Sequence, residues 1–271
     1  MPAIFLILFV IAGSLSPDAV SVDRAWTILR DGLDSKTAAK RQKAVHALAL
    51  LQRNARAREW AENALADSNA DVRAEAADSL GAMDAQSSRA KLRKALNDNE
   101  IKVALAAANA LYTLKDPAAY EVFYSILTGE RKSSAGLVQS QLNTLKDPKA
   151  MEKLAFQTGI GFVPFGGMTY EAWKTVTHDD TSPIRAAAAE KLARDPDPKS
   201  RAALETACSD RKWQVRAASA VAIAKRGDPR LARAVIPLLM DDNDTVRNEG
   251  AAAVIRLSRG VFGASGNAGS R

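Results

Sequence analysis

The sequence carries one cysteine, Cys208, and two histidines, His46 and His178. A lone thiol closes no internal disulfide, and its helical spacing from Leu204 predicts burial as a small apolar residue. The histidines lie far apart, and neither belongs to a His-Glu or His-x-x-x-His pair, so no metal-ligand motif is present. No Gly-x-Ser-x-Gly elbow occurs, and the many aspartates are explained by turns and helix caps. Aromatic residues are only 6% of the chain, too few for a β-rich fold built on bulky cross-strand pairs, and almost no strand is expected. These gaps predict a chain that is not an enzyme and takes no cofactor, metal or small-molecule substrate.

Long hydrophobic runs are missing too. The longest, Ile4 to Ala12, is shorter than the roughly 20 residues of a membrane-spanning helix but suits the core of a signal peptide. Residues 1–21 therefore read as a leader, with candidate cleavage positions at Val10 with Ala12 or Ala19 with Ser21. No basic residue precedes the run, however, and an apolar helix that stays and caps the fold is the other reading. The first predicts export to the periplasm or cell envelope, the second a cytoplasmic protein, and neither a membrane span in the mature chain.

What the sequence has in excess is alanine and charge. Charged residues make up 25% and the formal net charge is +7, which permits contact with anions but says nothing of fold. Between Lys36 and Arg58 no acid occurs, and Lys40, Arg41, Lys43, Arg53 and Arg56 form a candidate anion patch; the alternative is a solvated helix face.

The strongest signal is self-similarity. Asp67-Ser-Asn-Ala-Asp-Val-Arg73, Asp179-Asp-Thr-Ser-Pro-Ile-Arg185, Asp210-Arg-Lys-Trp-Gln-Val-Arg216 and Asp241-Asp-Asn-Asp-Thr-Val-Arg247 share an Asp six residues before an Arg, and the last three recur every 31 residues. Each Arg opens an alanine-rich stretch with an aliphatic residue seven positions on, at Leu80, Leu192, Ile223 and Val254, on one helical face. Turn signals follow at Gly81, Asp195-Pro196 and Gly227-Asp228-Pro229, and Leu114-Lys-Asp-Pro117 recurs as Leu145-Lys-Asp-Pro148. The unit is helix, Asp-rich turn, alanine-rich helix, turn. Such a hairpin cannot bury its apolar face alone, so neighbouring units must stack.

In these motifs the chain resembles the HEAT family, and within it the short repeats first associated with phycobilisome lyases. The resemblance implies an all-α fold, a right-handed α-solenoid of about seven HEAT-type, armadillo-like hairpins over residues 22–258. It also implies a structural role for Asp67, Arg73, Asp179, Arg185, Asp210, Arg216, Asp241 and Arg247, which in the family form a hydrogen-bonded ladder between repeats. The first unit carries Asp34 and Arg41, the third Asp98 with Lys102, and the fourth lacks the Arg. HEAT hydroxylases depend on repeated His-Glu pairs, and none occurs here. Residues 259–271, rich in Gly and Ser, are expected to be a disordered tail.

One stretch departs from the period. Asp147-Pro148 and Asp195-Pro196 are 48 residues apart rather than 31, which places an insertion at about 156–172. Gly161 and Gly166 are spaced as in a phosphate loop, but Gly167 and Met168 stand where Lys and Ser or Thr are needed. The insertion instead offers Phe162 and Phe165, with Tyr170 and Trp173 beyond, either as a plug on adjacent repeats or as a partner-binding loop.

Together these features predict a protein-binding scaffold or assembly factor working through the groove of the solenoid, its protein partner unspecified. Two alternatives remain at this level: nucleic-acid binding through a basic groove, and a chromophore-lyase-like role implied only by the repeat resemblance.

Overall fold

The computed structural model describes residues 17–120 and 182–265, and all regular structure within them is helical. The elements are α1 (Pro17–Leu33), α2 (Ala38–Leu48), α3 (Ala55–Ala64), α4 (Ala70–Ala82), α5 (Arg89–Ala95), α6 (Ile101–Thr113), α7 (Ser182–Leu192), α8 (Pro198–Ala207), α9 (Trp213–Arg226), α10 (Ala232–Val235) and α11 (Asp244–Ser265). Short 3-10 turns precede α5 and flank α10. The hairpins α1/α2, α3/α4, α5/α6 and α8/α9 are units 1, 2, 3 and 6. Helix α7 is the second helix of unit 5, and α10 with its flanking turns pairs with α11 as unit 7.

Local chemistry sets the helix ends. Asn69 caps α4 by accepting from the backbone N–H of Asp71 at 2.9 Å, and Asp197 caps α8, where Pro198 stands at the first helical position. A left-handed residue follows α2, α4, α6 and α9: Arg53, Asp84 and Lys115, each 31 residues after the last, and Gly227. The left-handed turn closes helix ends: Asp116 N–H donates to Leu111 C=O at 2.8 Å and Ala85 N–H to Leu80 C=O at 3.1 Å.

Gly81, expected in a turn, lies instead in the last turn of α4. A Cβ there would sit 2.9 Å from Cα of Ala110, so glycine is what lets α4 and α6 approach this closely. The turn itself falls at Asp84.

Second helices stack on second helices, α2 on α4, α4 on α6, α7 on α9, and α9 on α11. Leu80, Leu111, Ile223 and Val254 are buried along this stack, each fully buried Leu or Ile contributing about 1.5–3 kcal/mol relative to an exposed one. Trp26 of α1 meets Trp60 of α3 edge to face, with centroids 5.2 Å apart. The structure is an α-solenoid.

One contact goes beyond a simple linear array. Helix α11, the last, packs against α1 and α2 of the first unit. In space the second helices run α7, α9, α11, α2, α4, α6, and units 7 and 1 meet at a seam. Arg256 Nη1 donates to the Leu50 carbonyl across it at 2.5 Å, and Lys40 lies 3.6 Å from Asp244.

Two expected boundaries look different here. Helix α1 begins at Pro17 and so includes Ala19 and Ser21, and α11 continues through Arg259 to Ser265 rather than ending before the expected tail. Adding a residue to an existing helix gains a hydrogen bond without a new nucleus, so a Gly- and Ser-containing end can extend one already anchored.

Candidate functional site at the seam

The aspartates and arginines of the repeat motif meet between units. Arg41 of α2 donates through Nε and Nη2 to both carboxylate oxygens of Asp67, each at 2.7 Å. Arg73 holds Asp98 at 2.7 and 2.8 Å, Arg216 holds Asp241 at 2.6 and 2.9 Å, and Arg185 contacts Asp210. The third arm of the fork turns back, Nη1 of Arg73 to the Asp67 carbonyl at 2.9 Å and of Arg216 to the Asp210 carbonyl at 2.8 Å. Each Asp also accepts from the N–H two residues on: Asn69, Glu100, Lys212 and Asn243. A planar guanidinium suits this double clamp as an ammonium would not. The Arg41 hydrogen bond holds Asp67 below its ordinary pKa against the opposing effect of burial. For Asp98 and Asp241 burial pushes upward, and the bonds from Arg73 and Arg216 outweigh it.

Lys102 does not continue the ladder; it pairs back to Asp71, while Arg93 reaches Asp116 at 2.7 Å. Arg247 contacts Asp244 of its own helix and donates to the Asp241 carbonyl at 2.5 Å.

The basic stretch is put to several uses. Arg41 is committed to Asp67, Lys40 faces Asp244, and Arg56 lies 4.8 Å over the Trp26 ring and 5.3 Å from that of Trp60. Arg53 occupies the left-handed turn after α2, and Lys43 is half-buried on α2. Asp179 and the candidates Phe162, Phe165, Tyr170 and Trp173 lie outside the described residues, as do His178, the 156–172 insertion and the Val10 and Ala12 cleavage positions. Cys208 is buried, and burial first, then the charge of Glu205, pushes its thiol up to about 12, which leaves it protonated and unreactive at neutral pH.

A cluster absent from the sequence reading sits at the seam. His46 of α2 is flanked by two neighbours: its Nδ1 lies 2.7 Å from Oε1 of Glu75 on α4, and its Nε2 3.7 Å from Oε1 of Glu249 on α11. Asp78, one turn on from Glu75, is exposed beside them. The hydrogen bond to Glu75 raises His46 to about 9 against desolvation, with the charges of Glu249, Glu75 and Asp78 adding to it. Asp78 reaches solvent, yet the surrounding protein and then the charge of Glu75 push it up to about 7, with His46 pulling down. Burial raises Glu249 above its ordinary range; its side chain is 4% exposed, and its Oε2 is buried with no hydrogen-bond partner.

A signal for this cluster does exist in the sequence. Glu75 and Glu249 each stand two residues after a ladder arginine, where Arg185 and Arg216 are followed by Ala187 and Ala218. His46 and Asp78 each stand five after one. The two registers lie one turn apart on the same helical face.

Among the described residues no group of His, Cys, Asp and Glu is arranged to hold a metal ion, and no helix is long and apolar enough to cross a membrane.

A stack of helical hairpins clamped unit to unit by Arg–Asp pairs defines a helical-repeat protein, an architecture that commonly serves as a protein-binding scaffold. The HEAT repeats profile matches residues 26–111, 57–137 and 171–256, and the chain belongs to the HEAT repeat family. No curated protein matches it significantly. Solved structures that resemble it include human deoxyhypusine hydroxylase in complex with glycerol, at 18% identity and a TM-score of 0.33 over 89% of this chain and 98% of that one. Others are an engineered protein, at 16% identity and a TM-score of 0.28 over 88% and 97%, and a designed armadillo repeat protein, at 15% and 0.26 over 85% and 98%.

Proposed function

We propose that this protein is a non-catalytic scaffold that binds a protein partner along the face formed by its second helices. The observation that carries this reading is the division of labour among polar side chains. The Arg–Asp clamps are spent on holding units together, whereas His46 and Asp78 present charge to solvent on that same face. A solenoid stacks repeats in order to expose an extended surface, and such surfaces take up protein segments. The leader-like run Ile4 to Ala12 supports export to the cell envelope as part of the proposal.

In-cell cross-linking from positions on the second-helix face, followed by mass spectrometry of the linked peptides and of the mature N-terminus, tests both parts. The scaffold reading expects one reproducible partner linked through α2, α4 or α11 and not through the first helices. No linked partner, or links spread evenly over the molecule, overturns it. An intact Met1 overturns export alone.

A further inference from the structure

The seam buries an acidic side chain at the joint that no Arg–Asp clamp holds. Glu249 lies where α11 meets α2, and its side chain is only 4% exposed. Packing there is close: a Cβ added at Gly32 of α1 would sit 2.7 Å from Cβ of Ala44 on α2 and 3.4 Å from Oδ1 of Asn248, the residue before Glu249. Of the carboxyl oxygens, Oε1 stands 3.7 Å from His46 Nε2, and Oε2 is buried with no hydrogen-bond partner.

An acid in such a place is tolerated as the neutral carboxyl and resisted as the carboxylate, because the ion loses its hydration and receives too little in exchange. Burial is accordingly the first influence on Glu249 and raises it above its ordinary 4.5. Among the charges around it, His46 of α2 and Lys225 of α9 favour the ionised form and Glu75 of α4 opposes it, and burial outweighs the two cations. On α1 and α10, Asp23, Arg24, Arg30, Asp31 and Arg233 lie at the surface. On α11 itself, Arg247 contacts Asp244 and Arg256 is taken by the Leu50 carbonyl. Parting α11 from α2 returns Glu249 to water, where an ordinary carboxyl ionises. Closed and open seams therefore differ in proton affinity at this one side chain.

We propose that Glu249 is a proton-dependent latch of the seam: units 7 and 1 stay together while its carboxyl keeps a proton and part when that proton leaves to water. Closure is then strongest below about pH 4.5, where both forms are protonated, and weakens as pH rises from there. Within that window each pH unit multiplies opening by up to about tenfold. Parting the seam also interrupts the second-helix face, so, on the scaffold reading, a partner spanning α11 and α2 is held more tightly in acid.

Hydrogen exchange of the full-length protein between about pH 5 and pH 8, corrected for the intrinsic pH dependence of amide exchange, tests the latch. Amides of α1 and α11 are expected to lose protection severalfold or more as pH rises, while α4 and α6 hold theirs. Glu249→Gln, a neutral isostere of the protonated carboxyl, should stay closed and abolish the pH dependence. His46→Gln removes a cation that favours the carboxylate and should shift the opening to higher pH; it decides the matter if circular dichroism shows Glu249→Gln unfolded. Asp78→Asn removes the other raised acid of the cluster and should leave the response unchanged. Exchange in α1 and α11 that is flat with pH overturns the proposal, as does a rise shared by all helices. So does a response kept in Glu249→Gln or lost in Asp78→Asn, or an opening that His46→Gln leaves unshifted or moves to lower pH. Because exchange needs no partner, failure here leaves the scaffold standing, and failed cross-linking leaves the latch standing.

Discussion

Between units 6 and 7 the joint is a bidentate clamp, Arg216 on Asp241, with the Asp also capping the turn behind it. Between units 7 and 1 the corresponding arginine, Arg247, stays with Asp244 of its own helix, and exposed Asp34 of unit 1 is not its partner. The seam is held by apolar packing of α11 on α1 and α2, by Arg256 on a carbonyl, and by looser pairs at 3.6 and 3.7 Å. Consecutive units thus share a repeated polar lock, while the seam joins units that are remote in sequence with contacts made only once. The difference separates a junction with a repeated polar lock from one that leaves Oε2 of Glu249 buried without a hydrogen-bond partner.

Breaking an interior clamp should do the most damage. Arg73→Ala leaves Asp98 part-buried without its guanidinium and is expected to cost about 3 kcal/mol in urea unfolding, whereas Arg247→Ala at the seam should cost about 1 kcal/mol or less. Equal losses would erase the distinction between the two kinds of joint. Next, Arg256→Ala removes a charged hydrogen bond to a carbonyl and should cost about 1–2 kcal/mol. Hydrogen exchange should then speed up in α1 and α11 while α4 and α6 stay protected; uniform acceleration would show that the seam does not open by itself.

The pH response sharpens the contrast from the other side. His46 has a folded-state pKa raised from 6.5 to about 9, so its stabilisation is complete below about pH 6.5 and is lost as pH rises through 9. The clamp carboxylates are depressed, so theirs is present above about pH 3.8 and fades below it. His46→Gln should therefore flatten the alkaline fall in the urea midpoint and leave the acid limb unchanged. The slope is shallow, because the imidazole is 61% exposed and screened by water. Smallest of all, Lys40→Ala removes a largely exposed pair and should shift stability by about 0.5 kcal/mol or less.

The repeat itself was legible because its causes are local. Capping residues, the left-handed turn, the alanine-rich face and the Arg six residues after the Asp act within one unit or between adjacent ones, and each leaves a mark at a fixed spacing. Gly81 shows where that reading slips. A glycine near a helix end looks like a turn, yet here it serves the close approach of α6, which depends on a neighbour that no local pattern describes. The candidate anion patch shows the same limit: of its five basic residues, Arg56 lies over a Trp pair, Arg41 holds Asp67 of the neighbouring unit and Lys40 faces Asp244 of α11.

By itself, then, the sequence determined the unit, its helical nature and the need of each unit for a neighbour, since short-range hydrogen bonds and a periodic apolar face are written residue by residue. Only the tertiary structure decided that the last unit leans on the first and that Glu249 reaches His46. Contacts between chain ends depend on the accumulated twist and rise of every intervening unit, a sum that no single motif records.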